Sequence, residues 1–165
     1  MKKFLLLFIT VALFASVTMA QEEEKIAKPA ALGHASTDGY VDEAFAIYDK
    51  VYEIKAKLVE SEAVVAELEA KAEPTSDEIK VANSSVLEST TKLESLQTDM
   101  TALLGKFDDV MKESKTITPK TKMPKAAKAL NTSKKALMSC KNEIPAQTKI
   151  AAGQKARLEA VKAIN

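Results

Sequence analysis

Few side chains in this 165-residue sequence are of the types that catalyse reactions or bind metal ions. It contains one histidine, His34, and one cysteine, Cys140. A nucleophilic triad needs a base held beside the nucleophile, and a structural zinc site needs four ligands. The carboxylates are numerous, but we expect them at exposed helix positions, without the cleft that separates the pKa values of a catalytic pair. The sequence therefore predicts a protein that is not an enzyme, with no catalytic, cofactor-binding or metal-binding residues.

Each of these two residues has an ordinary structural interpretation. His34 lies in a segment without periodicity, where we expect a solvated side chain. Cys140 falls on the apolar side of a predicted helix, where a small buried thiol is expected. The alternative for Cys140 is a disulfide between two chains, which an oxidising compartment would permit.

Charge is distributed unevenly along the chain. Residues 21–114 contain 21 acidic and 10 basic side chains, a net charge of −11, whereas residues 115–165 contain 12 basic and 2 acidic ones, a net charge of +10. A basic third helix could dock on an acidic hairpin of its own molecule, or it could present a cationic surface to anionic lipid, polysaccharide or protein. The candidate partner-binding residues are Lys149, Lys155, Arg157 and Lys162. Nucleic acid is disfavoured because no aromatic residue for base stacking follows position 114.

Two tyrosines are further candidates for partner binding. Tyr48 and Tyr52 lie beside the apolar seam of the first predicted helix, at the end that also holds the other aromatic residues after the signal. A core contact with the start of the third helix is the first interpretation. A ligand or partner patch is the alternative, because tyrosine suits places where one edge of the ring stays wet.

The elements that position these residues are predicted to be long helices. Hydrophobic residues make up 46% of the chain and charged residues 28%, with only four glycines. From Asp38, a potential helix cap, apolar residues recur at alternating spacings of three and four, the period of a coiled-coil seam. The seam of the first helix is Ala44, Ile47, Val51, Ile54, Leu58, Ser61, Val65, Leu68 and Ala72.

A second helix follows after a short turn. Pro74 ends the first helix, and Thr75 with Glu78 forms the sequence pattern of a capping box. Its seam is Ile79, Ala82, Val86, Ser89, Leu93, Leu96, Met100, Leu103, Phe107 and Val110. Two seams joined by so short a turn fold into an antiparallel hairpin, with Leu58, Leu93 and Leu96 in its core.

The third helix has a weaker seam and contains a proline. The seam of the third helix is Met123, Ala126, Leu130, Ser133, Leu137, Cys140, Ile144, Gln147, Ala151, Gln154, Leu158 and Val161. Pro145 bends or interrupts a helix, but Ala151, Leu158 and Val161 keep the phase of the seam beyond it, so we favour one kinked helix over two helices with a loop. Beyond Pro145 this helix meets a flank of the first helix that carries Lys55, Glu62 and Glu69, which offers little apolar area.

These elements predict an all-α fold, an elongated antiparallel three-helix bundle or helical hairpin coiled coil with its third helix kinked near Pro145. Residues 1–20 have the basic start, apolar run and small residues of a secretory signal, with an uncleaved membrane anchor as the alternative. Residues 21–37 are a flexible leader and residues 38–165 a single helical domain. No other apolar run is long enough to span a bilayer, so no transmembrane span is expected after signal cleavage.

Two functional hypotheses follow from these features. The first is an exported, periplasmic or secreted, structural or interaction protein that binds a protein partner or itself. The alternative is a carrier of amphipathic ligands, or a binder of anionic membrane or polyanion surfaces through the Lys-rich third helix. No cofactor is expected in either case.

Overall fold

A computed structural model describes residues 25–164, all of them helical except for an N-terminal segment and short connections. Within this range there are four α-helices, α1 (Ala35–Ala70), α2 (Ser76–Gly105), α3 (Phe107–Glu113) and α4 (Met123–Ile164). Two short 3-10 turns, Ser114–Thr116 and Lys120–Lys122, connect α3 to α4. No strand occurs in this range, which confirms the all-α prediction. The predicted signal, residues 1–20, and the first four residues of the predicted leader lie outside the described residues.

Helix α1 begins at Ala35, three residues before the expected start at Asp38. His34 caps it, because its side chain accepts a hydrogen bond from the Thr37 amide. The Asp38 carboxylate instead accepts from three amides that precede the helix, those of Leu32 at 2.9 Å, Gly33 at 2.7 Å and His34 at 3.0 Å. Burial raises the pKa of Asp38, but these hydrogen bonds together hold it below its usual value.

Of the predicted leader, residues 35–37 belong to the first turn of α1, and residues 25–34 form an extended segment that runs along this helix. We call residues 25–34 the N-terminal strap. Lys28 pairs with Asp42 at 2.8 Å, and Ile26 and Leu32 pack partly buried against the core. Lys122 Nζ donates to the Leu32 carbonyl oxygen at 2.7 Å and so ties the strap to the start of α4. Gly33 makes the bend into the helix at a φ of 74°, a left-handed conformation that glycine adopts without strain.

The turn between α1 and α2 has the predicted chemistry. Thr75 and Glu78 form a capping box, in which the Thr75 amide donates to Glu78 Oε2 at 2.8 Å and the Glu78 amide donates to Thr75 Oγ1 at 3.3 Å. Helix α1 ends at Ala70, so Ala72, expected in its seam, lies exposed in the turn.

The second predicted helix is divided at Lys106. The Lys106 amide bonds to the Leu103 carbonyl oxygen at 3.1 Å, a tighter turn than in an α-helix, and α3 begins one residue later. Gly105, a weak helix former, ends α2 at this point. Phe107 is buried and Val110 half-buried, so the phase of the predicted seam continues across the break.

Helix α4 runs without interruption from Met123 to Ile164 and contains Pro145. This agrees with one helix rather than two. A bend at Pro145 stays a prediction.

The long helices pack on one another through the predicted seams. Helices α1, α2 and α4 contact each other in all three pairings. The core residues Leu58, Leu93 and Leu96 are 1%, 0% and 5% exposed, which confirms their assignment. Every seam residue of α4 from Ala126 to Val161 is buried, including Gln147 and Gln154. None of the helices between residues 25 and 164 combines the length and apolar character needed to cross a membrane.

Candidate interaction surfaces

Seven of the eight lysines of α4 form two parallel rows along one outer edge of the helix. Lys134, Lys141, Lys155 and Lys162 occupy equivalent positions of successive heptads, with Thr148 at the skipped position. A second row, one residue further around the helix, holds three more lysines. All seven are exposed, and we call them the basic stripe: Lys128, Lys134, Lys135, Lys141, Lys149, Lys155 and Lys162.

The lysines of the basic stripe are not neutralised by acids on α1 or α2. Lys155 lies 3.9 Å from Glu159 on its own helix, with both side chains more than half exposed. Lys134 Nζ sits 4.1 Å from the centroid of the Phe107 ring, a cation–π contact. Among the described residues, no ion pair joins the stripe to another helix. This arrangement favours a cationic surface over docking of the whole basic helix on an acidic hairpin.

Arg157 belongs to a different surface from the lysines with which it was grouped. It faces α1, where its Nε and Nη2 donate to the two carboxylate oxygens of Glu69 at 2.8 and 2.6 Å, and its Nη1 donates to Glu62. The hydrogen bonds to Glu69 raise the pKa of Arg157, partial burial lowers it by a smaller amount, and the hydrogen bond to Glu62 raises it further. Arg157 therefore fastens α4 to α1.

A second pair of opposite charges joins the same two helices nearer Pro145. Lys55 on α1 lies 3.1 Å from Glu143 on α4. Here the basic residue is on α1 and the acidic residue on α4, the reverse of the contacts of Arg157. The flank of α1 expected to face the third helix, Lys55, Glu62 and Glu69, is thus in contact with charged groups of α4.

Tyr48 and Tyr52 are in an aromatic cluster between α1, the strap and α4. Tyr48 is 1% exposed, and its hydroxyl accepts a hydrogen bond from the Ile26 amide at 3.0 Å. The centroids of the Tyr48 and Tyr52 rings are 4.6 Å apart, and the Tyr52 hydroxyl is 3.1 Å from Ser139 Oγ on α4. This geometry fits the core interpretation of Tyr48, and the structure does not bring the tyrosines to the lysines at positions 149–162.

Cys140 lies in the core, and His34 caps a helix. Cys140 is a free thiol with 0% exposure, and burial raises its pKa to about 12. His34 Nδ1 lies 2.8 Å from Thr37 Oγ1 at the start of α1. Within residues 25–164, no three His, Cys, Asp or Glu side chains are grouped so that they could hold a metal ion.

A shallow groove lies between the strap and the first turns of α4. Its volume is about 310 Å³, and it is lined by Ala27, Pro29, Leu32, Lys125 and Lys128 among others. Lys128, the first residue of the basic stripe, therefore borders a mainly apolar groove.

Sequence reasoning identified three of the seven stripe lysines and missed Lys128, Lys134, Lys135 and Lys141. The signal for them was the seven-residue spacing that aligns side chains on one edge of a coiled-coil helix. A partner-binding role for Lys149, Lys155, Arg157, Lys162, Tyr48 and Tyr52 stays a prediction. Comparisons with protein-family models, curated proteins and solved structures find no match to this chain.

Proposed function

We propose that the protein is an exported, non-enzymatic helical interaction protein that binds an anionic partner through the basic stripe of α4. In this proposal α1, α2 and α4 form an elongated antiparallel three-helix coiled coil, bent at Pro145, which serves as a rod-shaped support. The signal-like residues 1–20 support the proposal of export, and the mutual contacts of α1, α2 and α4 support the proposal of a rod.

The observation that carries this proposal is the row of exposed lysines without acidic partners on other helices. From Lys128 to Lys162 the stripe extends about 51 Å at the rise of an α-helix. Lysines two turns apart are about 10.5 Å from each other along the helix, more than the Debye length of about 8 Å at physiological salt, so salt screens most of their mutual repulsion and the rest grows as the salt concentration falls. An anionic partner would relieve this repulsion and gain attraction to each lysine.

Self-association is the second candidate. One chain carries both an excess of acid in residues 21–114 and an excess of base in residues 115–165. The stripe of one copy could therefore meet acidic side chains of another, in which case mass would increase as ionic strength falls.

The experiment compares two triple variants with equal loss of charge. Lys141, Lys155 and Lys162 change to Gln in the stripe variant, and Lys50, Lys57 and Lys106, exposed side chains on or at the end of α1 and α2, change to Gln in the control. Binding to immobilised sulfated polysaccharide, polyphosphate and anionic vesicles is measured over a salt series, with light scattering for mass. Salt-sensitive binding to one of these, or salt-sensitive self-association, lost only in the stripe variant supports the proposal. No binding to any of them and a monomer at every salt concentration would contradict it.

A further inference from the structure

We infer that the basic stripe receives one extended, unbranched polyanion, a polymer of phosphate, sulfate or carboxylate groups, lying parallel to α4. The inference rests on the proposed function and specifies the class of its partner. An anionic bilayer is the competing partner.

The arrangement of charge is linear. In the first row, Lys134, Lys141, Lys155 and Lys162 recur every seven residues or a multiple of seven, which is about 10.5 Å or twice that along the helix axis. The second row runs beside it at a constant offset of one residue. A polymer with regularly spaced anionic groups can contact such rows along its length, with each lysine acting as a flexible point charge.

The strip between and beside the rows is free of competing acid for most of its length. Residues 115–142 contain no Asp or Glu. The exposed side chains between the rows are Asn131, Met138, Pro145 and Ala152, followed by Glu159, which lies beside Lys155. Glu143, the other acid of this region, is turned to α1 and paired with Lys55. A bound polyanion would therefore meet little repulsion from α4.

The adjoining flank of α2 is also uncharged. The pKa of Glu53 on α1 is lowered first by its hydrogen bond with Lys57 and, to a smaller extent, by the charge of Lys92 on α2. Glu78, on the same flank of the α2 seam as Lys92, lies 2.6 Å from Lys71 at the end of α1, so this flank faces α1. The opposite flank, towards α4, carries Asn83, Thr90 and Gln97 at seven-residue spacing. These side chains offer hydrogen bonds without negative charge beside the lysine rows.

The same edge is poorly suited to a bilayer. Helices that lie in a membrane interface bury a broad apolar face with bulky side chains among the lipids. The apolar seam of α4 is already buried against the other helices, and Met138, at 42% exposure, is the one large apolar side chain among the residues between the rows. This edge can therefore attach to a partner mainly through charge. Such attachment favours a polymer, which can follow the two lysine rows, over a bilayer, which must lie flat across α4 and its neighbouring helices.

The test titrates the whole protein with linear polyphosphate of graded chain lengths and, in parallel, with vesicles of anionic lipid. Affinity should rise with polymer length until the polymer spans the stripe, and longer polymers should then bind additional protein copies. The stripe variant, Lys141, Lys155 and Lys162 to Gln, should lose about tenfold or more in affinity and show a shallower salt dependence. The control variant, Lys50, Lys57 and Lys106 to Gln, should bind as the unchanged protein does.

The other outcomes separate the inference from the proposed function. Stripe-dependent binding to vesicles that exceeds binding to polyphosphate would overturn the inference and leave the proposed function standing. Equal losses in the stripe and control variants, or affinity independent of polymer length, would also overturn the inference, because the rows would then not define the site. Stripe-dependent self-association without polymer binding would do the same. Failure to bind either probe, with a monomer throughout, would overturn both.

Discussion

Arg157 on α4 and Glu69 on α1 form a two-bond ion pair across the helix interface, with Nε–Oε1 at 2.8 Å and Nη2–Oε2 at 2.6 Å. Both side chains are about a quarter exposed. The fork of the guanidinium matches the carboxylate, a geometry that lysine cannot reproduce. This pair joins α4 to α1 near the Pro74 turn.

The interface around this pair is polar on both sides. Gln154 Nε2 donates to the Leu58 carbonyl oxygen at 2.8 Å and to Glu62 Oε2 at 3.1 Å. The Oε1 atoms of Gln147 and Gln154 are buried without a hydrogen-bond partner, which costs free energy. The half of α4 before Pro145 instead buries Leu130, Leu137 and Ile144. Apolar burial therefore holds the first half of α4, and polar contacts contribute more to the second.

Leu93→Ala should destabilise the bundle by about 2–5 kcal/mol, because the side chain is fully buried and its loss leaves a cavity. Leu87→Ala is the matched control on the same helix: Leu87 is 53% exposed, and its change should stay within about 0.5 kcal/mol. Chemical unfolding followed by circular dichroism measures both. Equal midpoints for the two variants would contradict the seam assignment of α2.

The Glu78 carboxylate should make the turn between α1 and α2 sensitive to acid. Hydrogen bonds from Lys71 and from Thr75 lower the Glu78 pKa from 4.5 to about 2. Because the folded value lies below the unfolded one, the charge contributes stability above about pH 4.5, and this is lost as the pH falls towards 2. The stability difference between the unchanged protein and Glu78→Gln should therefore shrink over this range in unfolding experiments. A difference that is constant with pH would contradict the pKa assignment.

Cys140 should not react with thiol reagents in the folded protein. Its sulfur is buried and its pKa is raised to about 12, so almost no thiolate forms at neutral pH. Maleimide labelling followed by mass spectrometry should show modification only after denaturation, and no disulfide-linked dimer should form on oxidation. The Met138→Cys variant, with a thiol at an exposed position two residues away, is the control that should label once without denaturant. Rapid labelling of Cys140 in the unchanged protein would show that α4 opens at this position.

The sequence predicted well which residues are buried. It predicted less well which neighbouring helix the side chains on either side of each seam would face. Heptad spacing located the seams, and the Pro74 turn with its capping box defined the connection, because both depend on local chemistry. The early start of α1 at Ala35 was missed because Asp38 is by residue type a better helix cap than His34, whereas in the structure the Asp38 carboxylate accepts hydrogen bonds from amides of the strap. The break at Lys106 was missed because Phe107 and Val110 keep the phase of the seam.

The site was harder to predict for a geometric reason. A third helix can pack on either side of a hairpin, and the side decides which flank of its seam faces α1. Arg157 and Lys155 lie on opposite flanks of the seam, so their roles depend on that choice. The structure places Arg157 against Glu62 and Glu69 and leaves Lys155 exposed. Charge counts along the sequence could not separate the two.

The segment of α4 after Pro145 should open more readily than the centre of α1. Pro145 cannot donate a helical hydrogen bond, small side chains beyond it bury little apolar area, and its polar contacts weaken as salt screens them. Local opening costs less free energy than global unfolding, so amides of residues 146–163 should exchange with deuterium faster than those of residues 47–68, and more so at high salt. Arg157→Gln should speed exchange of residues 146–163 at low salt and remove much of the salt effect, whereas Lys155→Gln, which changes an exposed pair, should do neither. Equal protection of the two segments at every salt concentration would mean that α4 is held as firmly at its polar end as α1 is at its apolar centre.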